Sequence, residues 1–224
     1  MRRKFISAFI ASAFLAGSAA AVAAPMSSGE IQDLLNRLET MHESNSSLQA
    51  DFREERHMSM LKEPVVSQGK IWFTIPDKIR RDIGGNTPST TVINGRKMVI
   101  FYPKFKEEEV YDLEKRPMLK DSLQALTAGL NFRQVSTYYN VEGSKEGNDY
   151  QIVLTPKSGA IRKVVKSVTL TLDRNLNPQH VVFVSSRGER VEVSYSDVRR
   201  EPVPESMYQF NAPPGTNVTT PLGS

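Results

Sequence analysis

The chain has 224 residues, with 29 Lys and Arg against 25 Asp and Glu for a net charge of +4, and it contains no cysteine. That excludes a disulfide framework, a cysteine nucleophile and a cysteine-borne lipid anchor, so the fold must rest on a sizeable apolar core. At the N-terminus, Arg2, Arg3 and Lys4 precede an apolar run from Phe5 to Ala16 and a small-residue stretch ending Ala21-Val22-Ala23. This is the order of a secretory signal peptide, residues 1–23, with cleavage after Ala23. The run is too short, and too interrupted by Ser7 and Ser12, for a membrane span of about 20 residues. Without its three basic residues the chain keeps 26 basic against 25 acidic, +1, which gives no support to a nucleic-acid partner.

Ser27 to Glu30 has capping-box spacing, and Ile31, Leu34, Leu35, Leu38 and Met41 follow at helical intervals. A helix with one apolar stripe is predicted, ending in the polar run Glu43 to Ser47. From Leu48 the period becomes two, with Leu48, Ala50 and Phe52 on one face. Arg53 to His57 is charged at both parities and is expected to be an edge or an exposed strand end. Two acids beside His57 suggest an acid–base group, but the chain's three histidines make such proximity common, and no catalysis is assigned there.

After a loop, Met58 to Pro64, comes the stretch around which the chain is organised, Val65 to Ile83. Ile71, Phe73 and Ile75 alternate with Lys70, Trp72 and Thr74, predicting a strand with one buried face. Pro76 and Asp77 turn the chain, and Ile79, Arg81 and Ile83 share one parity on the return. Thr90 to Ile93 leads into Asn94-Gly95, a strong hairpin signal. The next strand, Lys97 to Pro103, is apolar on both parities, so aromatics are expected to cover the face that does not meet helices or ligand. Lys104 to Glu109 reads as a charged turn and Val110 to Leu113 as a strand.

Pro117 to Leu130 is the second predicted helix, with Asp121 as N-cap and Leu123, Leu126 and Leu130 in phase. Phe132 to Tyr139 is compatible with helix or strand. The remainder reads as an antiparallel meander: Tyr150 to Pro156, Lys163 to Leu172, His180 to Ser185, Arg190 to Val198 and a last short strand, Met207 to Phe210, before a frayed tail. Two helices among many sequential strands argue for an α+β fold, with helices covering one side of a curved antiparallel sheet. No G-x-S-x-G, H-E-x-x-H or cysteine nucleophile is present, so no enzyme activity and no cofactor or metal is expected.

In order, the chain carries a Leu-rich helix, Ala50-Asp51-Phe52, the Gly69-led strand GKIWF with its Pro turn, NGRKMVIFYP (Asn94 to Pro103), a central helical segment, IVLTPK (Ile152 to Lys157) and FNAPPGTNV (Phe210 to Val218). This series resembles the periplasmic outer-membrane lipoprotein carrier LolA and its relatives over nearly the whole chain after the signal peptide, giving an expected domain of residues 24–218 and a flexible tail at 219–224. The resemblance implies an unclosed antiparallel β half-barrel whose hydrophobic concave face is capped by helices. It also implies a periplasmic monomer that shields acyl chains of lipoproteins between an inner-membrane ABC exporter and an outer-membrane acceptor. Similar folds carry other lipid-like cargo or sense lipid in envelope-stress regulators.

The expected lipid-binding wall contains Phe52, Ile71, Phe73, Ile75, Ile79, Met98 and Ile100 from strands, with Leu34, Leu38, Leu123 and Leu126 from helices. Each also has an ordinary core reading. In one respect the chain departs from its relatives, which typically place an Arg, bonded to the helical lid, just before the Pro of the central turn; here that residue is Ile75. Arg81, on the same parity across the turn, is the candidate substitute cation. The alternative for Arg81 is a surface side chain paired with Asp82 or Glu107.

Overall fold

The alternating stretches assemble into one large sheet in the computed structural model, which describes residues 23–115 and 135–221. In chain order the strands are β1 (Ala24–Pro25), β2 (Ser47–His57), β3 (Val65–Thr74), β4 (Lys78–Ile83), β5 (Ser89–Asn94), β6 (Lys97–Tyr102) and β7 (Glu107–Asp112). They continue as β8 (Tyr139–Glu146), β9 (Asp149–Pro156), β10 (Val165–Leu172), β11 (Pro178–Ser185), β12 (Arg190–Arg199) and β13 (Asn217–Thr219). The spatial order is β1-β8-β9-β10-β11-β12-β2-β3-β4-β5-β6-β7-β13. Neighbours are antiparallel except β13, which runs parallel to β7. Because β1 and β13 stand at opposite edges, the sheet does not close on itself: the fold is α+β, as the pattern predicts, and an unclosed half-barrel, as the resemblance implies.

Helix α1 (Ser28–Ser44) begins as its sequence dictates. Glu30 N donates to Ser27 Oγ at 3.3 Å, and Ser27 N donates to the Glu30 carboxylate at 2.7 Å. Its stripe, Leu34, Leu35 and Leu38, is buried against Ile152, Leu154, Val168, Leu170 and Leu172, so α1 lies over β9 and β10. Burying a leucine this completely contributes about 1.5–3 kcal/mol. The face that carries α1 is called the inner face below. One-turn helices α2 (Val135–Tyr138) and α3 (Gly159–Arg162) introduce β8 and β10.

Several expectations are corrected. Of the two readings for Arg53 to His57, the edge is excluded and the exposed strand end holds: β2 is central, paired with β12 from Gln49 to His57 and with β3 from Ser47 to Arg56, and it ends with Arg56 and His57 exposed. Its charges are accommodated by ion pairs along and between strands, including Arg56 to Glu54 at 3.3 Å and His57 to Glu192 of β12 at 3.5 Å. Glu107 to Glu109 belongs to β7 rather than to a turn, because β6 and β13 flank it on both sides. Thr219 likewise lies in β13 rather than in a frayed tail.

Met207 to Phe210 is not a strand. Residues Glu205–Tyr208 form a 3-10 turn held by Met207 N donating to Pro204 O at 3.0 Å. The β5–β6 turn sits one residue further on than expected, since Asn94 already pairs with Lys97. In β10 a register shift between Val165 and Ser167 turns Lys166 outward and buries Val165. β1 and β8 were not anticipated; β8 carries little apolar alternation, and backbone pairing with β1 and β9 defines it. Of Phe132 to Tyr139, the described part is the α2 turn followed by the first residue of β8. The signal segment through Val22 and the predicted helix with Leu123 and Leu126 lie outside the described residues.

Candidate functional site

The strand register fixes which side chains share the inner face. Leu48 stands opposite Phe73, Phe73 opposite Ile79, Ile79 opposite Ile93, and Ile93 opposite Met98. A second row runs Ala50, Ile71, Arg81, Thr91, Ile100. Phe52 is flanked by Tyr195 of β12 and Gly69 of β3. The sequence-predicted residues Phe52, Ile71, Phe73, Ile79, Arg81, Met98 and Ile100 are therefore brought onto one surface.

They divide into neighbourhoods. Ile79, Met98 and Ile100 pack with Ile93, Leu113 and Tyr111 at the β4–β7 end. Leu34 and Leu38, 2% and 1% exposed, lie in the α1 core at the other end. Between these clusters Phe52 and Phe73 are buried and Ile71 is half-buried. Ile75 lies just beyond β3, joined to Pro76 by a cis peptide bond, with its N–H donating to Ser46 O at 2.9 Å. It is half-buried and belongs to the turn rather than to the strand.

This apolar surface is interrupted by charge. Glu54, on the parity of Leu48, Ala50 and Phe52, has a side chain only 9% exposed. Arg81 Nη2 donates to Glu54 Oε2 at 2.6 Å, and Arg56 Nη2 donates to Glu54 Oε1 at 3.3 Å. The Arg81 guanidinium also lies 4.3 Å from the Phe52 ring centroid, a favourable cation–π position. Arg81 is thus neither a surface residue nor paired with Asp82 or Glu107; Asp82 pairs instead with Arg80, at 3.0 Å. Tyr195 completes the group, its hydroxyl pushed up to about 12 by desolvation, with Arg81 opposing and Glu54 reinforcing that shift. Glu54, Arg56 and Tyr195 escaped the sequence reading. Continuing the period-two count past Phe52 puts Glu54 on the apolar face, which is the available clue to it.

The outer face is closed by the C-terminal segment. Tyr208 OH and Thr74 Oγ1 are 2.8 Å apart, Thr74 Oγ1 and Ser47 Oγ another 2.8 Å, and Phe210 packs on Phe101 with ring centroids 5.1 Å apart. Aromatics thus cover the second face of β6, as its double-sided pattern predicts. A cleft of about 340 Å³ remains there among Val92, Asn94, Val99, Tyr208 and Phe210.

His57 Nε2 lies 3.5 Å from Glu192 and 3.8 Å from Glu55, with a 43% exposed side chain. Its parity places it on the outer face, away from the apolar surface. Among the described residues no group of three or more His, Cys, Asp or Glu is arranged to hold a metal ion, and no helix is long and apolar enough to cross a membrane.

Comparison with solved structures finds similarity to an uncharacterized conserved protein from Thermus thermophilus. Its TM-score is 0.52 at 12% identity, over 85% of this chain and 99% of that one. At that identity the likeness shows the fold. A LolA superfamily protein from Nitrosomonas europaea matches with TM-score 0.43 and 13% identity over 80% of this chain and 97% of its own. The lipoprotein LppX of Mycobacterium tuberculosis matches with TM-score 0.45 and 10% identity over 80% and 99%. No curated protein matches the sequence. The family model described as outer membrane lipoprotein carrier protein LolA matches residues 43–211, most of the chain. The chain belongs to the LolA family.

Proposed function

We propose that the protein is a soluble, monomeric periplasmic carrier that shields the acyl chains of lipoproteins between an inner-membrane ABC exporter and an outer-membrane acceptor, after removal of residues 1–23. The observation that carries this reading is the inner face, on which the row Leu48, Phe73, Ile79, Ile93 and Met98 is apolar from β2 to β6 while α1 lies over β9 and β10. A surface of that kind suits an acyl chain, and family membership supports the same use. The protein performs no chemistry in this role and needs no cofactor.

The energetics suit a shuttle only if the cargo is partly buried. A sixteen-carbon chain buried at about 0.8 kcal/mol per methylene gains about 12 kcal/mol, and several such chains would be released too slowly. An apolar surface partly covered by the protein's own helix has a lower net affinity and keeps the empty protein in solution.

A second reading, a non-protein lipid, glycolipid or polyene as cargo, is favoured by Ile75, which stands where relatives of this kind typically carry a lid-bonding Arg. Native mass spectrometry of the protein purified from envelope extract, followed by organic extraction, separates the two. Triacylated polypeptide is the expected cargo. A protein-free lipid moves the assignment to the second reading, and an apolar surface that takes up neither cargo in reconstitution sinks the carrier function.

A further inference from the structure

An ion pair on an otherwise apolar face needs a reason. Taking a carboxylate and a guanidinium out of water costs several kcal/mol each, and a hydrophobic pair of similar volume is often as stable. Here the group holds more charge than mutual neutralisation requires: Arg56 and Arg81 both donate to the single carboxylate of Glu54, a local balance of +1. Neither arginine makes another hydrogen bond among the described residues, so each guanidinium retains N–H donors for a ligand. The Tyr195 hydroxyl, beside Phe52 in the register, makes no hydrogen bond there either.

Exposure rises through the group. The side chain of Glu54 is 9% exposed, that of Arg81 24% and that of Arg56 49%. Arg56 lies near the loop end of the β2–β3 hairpin, whereas Ile71, Phe73 and Ile79 lead away from it along the sheet. Polarity is therefore graded along β2, from Arg56 near the hairpin loop through Glu54 to Phe52, Ala50 and Leu48, and Arg81, in register with Ile71, reaches back to Glu54.

Building on the carrier reading, we infer that Arg56, Arg81 and Tyr195 form a head-group site on the inner face for an amphiphile bearing an oxyanion, a phosphate or a carboxylate, whose acyl chain lies along the half-buried Ile71 and Ile79. The oxyanion takes N–H donors of both arginines, and Glu54 fixes the two guanidinium groups and limits their excess charge. Paired guanidinium groups suit an oxyanion geometrically, since each presents a planar fork of donors.

The test compares three sixteen-carbon amphiphiles below their micelle concentrations, in competition with an environment-sensitive fluorescent lipid. Palmitoyl lysophosphatidate supplies a phosphate, palmitate a carboxylate, and monopalmitoylglycerol an uncharged head. At least one of the two anions is expected to bind about tenfold more tightly than the uncharged lipid, as a single charge-assisted contact allows. Which of them binds more tightly identifies the source of the oxyanion. Arg56→Gln, at an exposed position, should reduce the preference several-fold, and Glu54→Gln should enlarge it. Opposite effects of two neighbouring substitutions are not produced by loss of folding.

Equal affinity for all three lipids, or a preference for the uncharged one, overturns the head-group site and leaves the carrier reading intact. Arg56→Gln and Glu54→Gln changing the preference in the same direction also overturns it. Binding of none of the three overturns both readings.

Discussion

Gly69 packs directly on the β4 backbone: a Cβ there would sit 1.8 Å from the Asp82 carbonyl oxygen, inside any possible contact. The obstacle is backbone, so it cannot swing aside as a side chain would. Gly69→Ala should destabilise the protein by about 1–3 kcal/mol, read as a lower urea midpoint, because the two strands must part. An unchanged midpoint would mean that the strands adjust freely. His42 makes a second single-residue case. Desolvation, with Arg200 nearby, lowers its pKa to about 4, from 6.5. The folded ring then stays neutral while the unfolded ring takes up a proton below its ordinary value, so stability falls as pH drops from about 6.5 to 4. His42→Gln should flatten that part of the stability–pH curve relative to the parent; parallel curves would remove His42 as the cause.

At the scale of elements, α1 and the C-terminal 3-10 turn hold opposite faces by different means. α1 acts through area: Leu38→Ala opens a cavity against Leu154 and Leu170 and should cost about 2–5 kcal/mol in chemical denaturation. The 3-10 turn acts through polar links, the Ser47–Thr74–Tyr208 hydroxyl chain and Lys78 to Glu205 at 2.6 Å. Tyr208→Phe should cost only about 1 kcal/mol, since Thr74 keeps Ser47 as a partner; a loss as large as that of Leu38→Ala would contradict this division.

The contrast also explains what the sequence disclosed. Elements with a strong period, α1 with its stripe and β2 and β3 with their alternation, were legible because burial on one side writes that period. β8 was not, because its apolar content is low and its position comes from backbone pairing with neighbours distant in sequence. The turn at Glu205–Tyr208 reads as a strand because Met207 and aromatic Tyr208 and Phe210 signal β-structure, while Pro204 and contacts to Thr74 and Lys78 decide otherwise. For the site, parity gave the apolar rows. It concealed Arg81's true partner, since Glu54 sits in a charged run that looked like an edge until β12 supplied its second neighbour.

For the molecule as a whole, the decisive feature is the junction of β2 with β12, which joins two meanders far apart in the sequence. α1 crosses that junction: it precedes β2 in the chain yet fills the core of the β8–β11 group. The early part of the polypeptide therefore holds the plug for the late part's core, and the late portion cannot complete its interior alone. A chain emerging N-terminus first must present ten of its thirteen strands before α1 finds its seat on β9 and β10, which gives maturation a long exposed interval. Hydrogen exchange of the finished protein should show α1 and β10 amides opening together at the free energy of global unfolding. If α1 amides open at markedly lower free energy, the helix is a detachable cover, and its departure would bare Leu154 and Leu170 without dismantling the sheet beneath.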